Sequence, residues 1–193
     1  MAPKFLHFLL ASLLFLSTAC TTLGSYSPAT SYLIATCDDA AYSTLCLQTL
    51  LPDADRINSD PKKSTRLAIM ATISSVQTAS NSITQLSKQP QLWTRELNSL
   101  KDCGSSIANS IAGLNNAMDA TNHLGGGSKS DKESMRQSME NNVKDVIKAT
   151  NTCISNLQGL RARDVVISRV QDATTTLVQL ATNAVDLIDR MEF

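Results

Sequence analysis

The sequence predicts an all-α protein: an antiparallel four-helix bundle preceded by a short N-terminal helical hairpin. Three observations point there. Apolar residues recur in steps of three and four along four long segments, the spacing that gathers them on one side of a helix. The segments are separated by Pro90, by three consecutive glycines at 125–127 and by "QGLRARD" at 158–164, breaks that force reversals and that a continuous coiled coil would not carry. Proline and glycine are sparse, 5 and 7 residues in 193 with these breaks included, which excludes a disordered chain or a sandwich of many short strands.

Residues 1–24 read as a secretory signal peptide. Lys4 supplies a positive start, "FLHFLLASLLFL" (5–16) an apolar run and "STACTTLG" (17–24) small residues for cleavage. The run is shorter than the ~20 residues that span a bilayer. Cleavage after Ala19 leaves Cys20 on the product, whereas cleavage after Gly24 removes it. The second leaves Cys37, Cys46, Cys103 and Cys153, an even number suited to an oxidising compartment. The expected mature domain is therefore 25–193, with a hairpin over 25–57 and the bundle over 58–193. Removing Lys4 leaves 16 basic residues against 17 acidic where the whole chain has 17 of each. That balance offers no broad attraction to nucleic acid or an anionic membrane, and neither is expected as a partner.

Between Pro28 and Leu51 the apolar stripe, Leu33, Ile34, Cys37, Ala40, Ala41, Leu45, Cys46 and Leu50, wanders, so two or three short helical pieces are expected, closed by Pro52. "NSDPKKSTRL" (58–67) starts the first long helix, because Asp60 can cap exposed backbone N–H groups and Pro61 needs no donor there. Leu67, Ile69, Ile73, Val76, Ile83 and Leu86 line one side of it as far as Gln89. The second opens at about Gln91 and carries Trp93, Leu97, Leu100, Cys103, Ile107, Ile111, Leu114 and Met118. After the glycines, Ser130 with Glu133 has capping-box spacing for the third. Its apolar face is Met135, Met139, Val143, Val146, Thr150, Cys153 and Leu157; the fourth repeats Val166, Val170, Ala173, Leu177, Leu180, Ala184, Leu187 and Met191.

The cysteines constrain the start of the chain. A continuous helix would hold Cys37 and Cys46 about 13 Å apart, and a disulfide needs Cα atoms within about 7 Å. Cys103 and Cys153 lie in facing core stripes that a bundle brings together. If those two pair, Cys37 bonds Cys46 and the chain reverses between them; on arithmetic alone the crossed pairings stay open.

Chemistry is thin. His123 beside the glycines is the mature chain's sole histidine and reads as a solvated loop residue. Paired-histidine zinc motifs, glycine-rich phosphate loops and nucleophile–histidine arrangements are absent from the sequence, and Asp38–Asp39 is an exposed pair on a short piece. No enzyme activity, metal or cofactor is expected. "NTC" (151–153) commits its cysteine to a disulfide rather than to glycosylation.

Cys37 with Cys46 nine positions on, "NSDPKKSTRLA" (58–68), "LKDC" ending at Cys103 and "ATNTC" ending at Cys153, all behind a signal peptide, resemble the plant family of invertase and pectin methylesterase inhibitors. The resemblance covers the whole mature chain. It implies Cys37–Cys46 closing a disulfide-stapled hairpin, Cys103–Cys153 clamping neighbouring bundle helices, and secretion to the cell wall, or for some members the vacuole. It also implies a one-to-one complex over the active-site cleft of a carbohydrate-active enzyme: pectin methylesterase, the commoner assignment, or acid invertase. A secreted helical module that inhibits nothing is the reading from another class. This chain departs from the family where Ser106 and Ile107 stand in place of a common aromatic, and where "KDVIK" (144–148) precedes the fourth cysteine, although Thr152 is kept. The polar side of the third long helix, Lys144, Lys148 and Asn151 with Asn142, is the expected partner surface, and Lys148 is placed to meet carboxylates in a cleft.

Overall fold

The computed structural model describes residues 26–192; the expected signal peptide and its cleavage site lie outside them. Helix α1 (Pro28–Asp38) begins where Ser27 Oγ accepts the Thr30 N–H at 3.1 Å. A turn over 39–42 leads to α2 (Ser43–Leu50), so the helix breaks inside the Cys37–Cys46 interval. The break brings these cysteines to a Cα separation of 5.5 Å, where they are bonded. A 3-10 turn (Leu51–Asp53) and α3 (Ala54–Ile57) follow. Asn58 and Ser59, at φ 49° and 59°, turn the chain into the bundle through the left-handed region that asparagine tolerates best among non-glycine residues.

Helix α4 (Pro61–Leu86) starts as its sequence predicts, with Asp60 Oδ1 accepting the Lys62 N–H at 2.9 Å. It stops three residues before Gln89, because Pro90 disfavours helical backbone in the residue ahead of it and the Ser87 hydroxyl turns back to donate to the Thr84 carbonyl. Helix α5 (Thr94–His123) opens later than Gln91. The Glu96 carboxylate reaches back to accept the Trp93 N–H at 3.0 Å, which makes Trp93 the capping residue. Trp93 is thus a correction to the core stripe; it lies 45% exposed. Helix α6 (Lys129–Gly159) is capped by Ser128 and Asp131, two residues ahead of the expected Ser130 and Glu133. Gly127, at φ 82°, supplies the left-handed step that places Ser128 at the helix start. Helix α7 is Asp164–Asp189.

Around the bundle α4 packs on α5 and α7, and α6 on α5 and α7, the up-down-up-down arrangement that short connections impose. The axis is filled by Ile69, Val76 and Ile83 from α4, Leu100, Ile107 and Leu114 from α5, Met139, Val143 and Val146 from α6, and Val170, Leu177 and Ile188 from α7. Cys103 and Cys153 tie α5 to α6 with Cα atoms 5.0 Å apart.

The hairpin belongs to the same core: Leu33, Cys37, Cys46, Leu50 and Ile57 are buried in it, and α2 packs on α4 and α7. Polar contacts fix its turn on α7. The Ala41 N–H donates to Asp186 at 2.8 Å, the Tyr42 N–H donates to Asn183 Oδ1 at 2.9 Å, and Asn183 Nδ2 donates to the Tyr42 carbonyl at 3.0 Å. Arg190 donates to the Thr36 carbonyl at 3.1 Å and to that of Asp39. Among the described residues no helix is long and apolar enough to cross a membrane.

Candidate partner-binding surface

The outer seam between α5 and α6 is a groove. Cys103–Cys153 holds the two helices together beneath it, and small or short polar residues line it: Asn98, Asp102 and Ser106 on α5, Ala149, Thr152 and Asn156 on α6. This stretch has a volume of about 630 Å³ and reaches Arg95 at one end. A second stretch of about 390 Å³ continues past Ser106, Ala149 and Thr152 to Asn109, Gly113, Asn142, Asp145 and Lys148. The floor is shallow there because Gly113 lets α6 come close; a Cβ on it would sit 3.0 Å from Asn142 Oδ1. Asp102, Ser106, Asn109 and Gly113 on α5 face Asn142, Asp145, Ala149 and Thr152 on α6, each series in steps of three or four, so one outward stripe of each helix forms a wall.

The expected residues divide between two faces. Asn142, half-buried, and Lys148, exposed, line the groove. Lys144 and Asn151 instead flank a shallow depression on the outer side of α6, which Lys148 also borders. Lys148 is therefore shared by both. No carboxylate pairs with it among the described residues.

Lys144 differs. It donates to Glu140 one turn back, and that hydrogen bond holds the Glu140 carboxyl below its ordinary range and raises the Lys144 ammonium. Glu140 also faces Arg136 at 3.7 Å, and Arg136 bonds Asp189 of α7 at 2.6 Å and Glu133 at 2.7 Å. Lys144 thus belongs to a charge network that braces α6 against α7.

Reading α6 alone misses the α5 wall, Asn98, Asp102, Ser106 and Asn109. Their regular spacing was the available signal. Ser106 is also where the family's aromatic is absent, and its small side chain leaves the groove open at the junction of its two stretches; Ile107 turns inward and is fully buried.

One end of the groove is tied to the α6–α7 connection by an ion pair. Glu96 is wholly buried yet ionised, because it accepts from Arg163 Nε at 3.0 Å, Arg163 Nη2 at 2.7 Å and the N–H groups of Arg163 and Trp93. The Arg163 side-chain bonds lead in lowering its pKa to about 2, outweighing the burial that raises it. Arg163 and Arg95 lie 5.1 and 4.6 Å from the centre of the Trp93 ring, within cation–π range.

Residues 31–187 match the sequence profile described as plant invertase/pectin methylesterase inhibitor. The chain belongs to that family. Within it, this inhibitor-family chain is 25% identical to "Pectinesterase inhibitor 10" of Arabidopsis thaliana over 82% of its own length, and spans half the length of that relative. It is 22% identical to "Pectinesterase inhibitor 3" of the same plant, covering all of this chain and 95% of the relative. It is 20% identical to a "21 kDa protein" of Daucus carota over 86% of each. The crystal structure of a mutant form of a pectin methylesterase inhibitor from Arabidopsis superposes with a TM-score of 0.61 at 15% identity, covering 86% of this chain and 99% of that one, a likeness of fold. The family is one of inhibitors rather than enzymes, and among the described residues no group of histidine, cysteine and carboxylate side chains is arranged to hold a metal.

Proposed function

We propose that residues 25–193 form a secreted cell-wall protein that blocks pectin methylesterase by laying the α5–α6 face over its active-site cleft in a one-to-one complex. The observation that carries this reading is the family match across nearly all of the hairpin and bundle; the pectinesterase inhibitors among its relatives favour this target over acid invertase.

Such an inhibitor needs no reacting group of its own. It needs a surface with little freedom left to lose on docking, and a seam cross-linked at Cys103–Cys153 lowers that ordering cost. Lys148, exposed and unpaired at the junction of groove and depression, supplies a cation for the cleft's catalytic carboxylates, with Asn142 and Asn151 as neutral hydrogen-bonding partners beside it. Charge pairs of this kind, desolvated in a complex, act mainly on dissociation. Lys144, already engaged by Glu140, contributes at the rim.

The test is residual activity of a pectin methylesterase and of an acid invertase mixed with the purified protein at about pH 5–6, conditions in which cleft carboxylates are largely ionised. Esterase inhibition that Lys148→Glu weakens by roughly tenfold or more supports the reading. Unchanged inhibition by the variant removes Lys148 from the contact, inhibition of invertase alone moves the target, and a broad panel left unaffected makes the chain a non-inhibitory module.

A further inference from the structure

Charge is unevenly placed at the end of the bundle where α4 passes to α5 and α6 to α7. Segments 87–96 and 158–169 carry Lys88, Arg95, Arg161, Arg163 and Arg169 against Glu96 and Asp164, a local basic excess in a chain whose 17 basic and 17 acidic residues cancel as a whole. The two segments form one surface, joined by the Arg163 bonds to Glu96 and to the Gln91 carbonyl at 3.0 Å. Glu96 is buried and pairs with Arg163, which leaves Lys88, Arg95, Arg161 and Arg169 facing outward against Asp164. Lys88, Arg95, Arg161 and Arg169 are exposed, and no carboxylate pairs with them among the described residues. Two of the cations are also held in place: Arg95 by its position over Trp93, and Arg169 by a 3.0 Å bond to Gln89.

We propose that this end of the bundle binds an acidic polysaccharide, a polyuronate whose carboxylates repeat along the chain. Arginine stays charged at any wall pH and its planar fork matches a carboxylate; guanidinium groups already ordered on an indole lose less freedom on binding. The choice of polyuronate rests on the proposed target, because an esterase acting on pectin releases chains bearing free carboxylates. A methyl-esterified chain presents the same sugar without the charge. Among polyanions a uronate is favoured over nucleic acid, since two disulfides place the chain in an oxidising compartment. The site would hold the inhibitor where its target's product accumulates.

Trp93 is the chain's single tryptophan, so its fluorescence reports this surface alone. Titration of the secreted protein with oligogalacturonate is expected to shift Trp93 emission, with affinity that falls as salt rises, while fully methyl-esterified oligomers leave it unchanged. Arg95→Ala combined with Arg161→Ala is expected to weaken the response by roughly tenfold or more. Lys88→Ala with Arg169→Ala, followed by binding of labelled oligogalacturonate, reads the same surface if the first variant loses its helical circular dichroism. No shift with oligogalacturonate, an equal shift with the ester, equal affinity for single-stranded DNA, or undiminished binding in folded variants overturns the proposal. No enzyme is present in the titration, so its failure leaves the inhibitor reading standing; loss of inhibition with intact polyuronate binding sinks only that reading.

Discussion

Glu96→Gln isolates what the buried charge at the groove end contributes. The wild-type carboxyl lies at about 2 against an ordinary 4.5, chiefly through the Arg163 side-chain hydrogen bonds. A depression of that size in a fully buried group corresponds to about 3 kcal/mol of folding stability. Because the folded state holds this carboxyl ionised more strongly than the unfolded chain does, the contribution is complete above about pH 5. It is lost as pH falls through the folded value, and below about 1 kcal/mol remains near pH 2.5. Glutamine keeps the shape but presents an N–H donor toward Arg163, as a protonated glutamate presents an O–H. At about pH 6 the variant should unfold roughly 6–12 °C below wild type, taking 2–4 °C per kcal/mol for a domain of this size. Near pH 2.5 the two melting curves should nearly coincide. Circular dichroism melts across that range decide it: a variant that tracks wild type at a constant offset would show that the Glu96 charge is not what stabilises the junction.

Other outcomes follow from the same contacts. Removing Cys103–Cys153, which closes a separation of 50 residues, should cost about 4 kcal/mol in denaturant unfolding, against about 2.5 for Cys37–Cys46, which closes 9; equal losses would contradict the loop-entropy account. Asn183→Ala removes both hydrogen bonds to Tyr42 and should speed amide exchange across 39–42 by roughly fivefold or more, for a local loss of about 1–3 kcal/mol, while exchange in α5 is unchanged. Gly113→Leu drives a side chain into Asn142 and should alter partner affinity with less than about 1.5 kcal/mol change in stability, since helix propensity improves as packing is disturbed.

The bundle was legible because its four apolar stripes state which way each helix faces, and Asp60–Pro61 announces the start of α4. Two starts were not legible, for different reasons. Ser128–Asp131 and Ser130–Glu133 are overlapping frames of one capping pattern, and only the backbone of Gly127 chooses between them. Trp93 fits the apolar spacing of α5, yet Glu96 captures its N–H and leaves the ring outside the core, a preference set by Arg163, which is 67 residues away. The candidate surface was half legible. Lys148 and Asn142 could be named from α6, but a groove belongs to two helices, and the regular spacing of Asn98, Asp102, Ser106 and Asn109 on its other wall points to no partner helix until the disulfide fixes how α5 is rotated against α6. Lys144 reads as a solvated cation in sequence; it is Arg136 and Asp189, from across the α6–α7 contact, that draw Glu140 and hence Lys144 into a network.

The seat of the N-terminal hairpin on α7 has a consequence for the order of assembly. Cys37 and Cys46 emerge early in synthesis and lie close enough in sequence to cross-link before the rest of the domain exists. The residues that receive their turn, Asn183, Asp186 and Arg190, come 141 to 154 positions after the backbone groups they hold. The hairpin can close covalently and rest on α4, but the side of it that packs on α7 has no partner until the last helix arrives. Its docking marks completion of the domain: a chain cut before Asn183 keeps both cysteines of the first disulfide but lacks the groups that seat the turn between them.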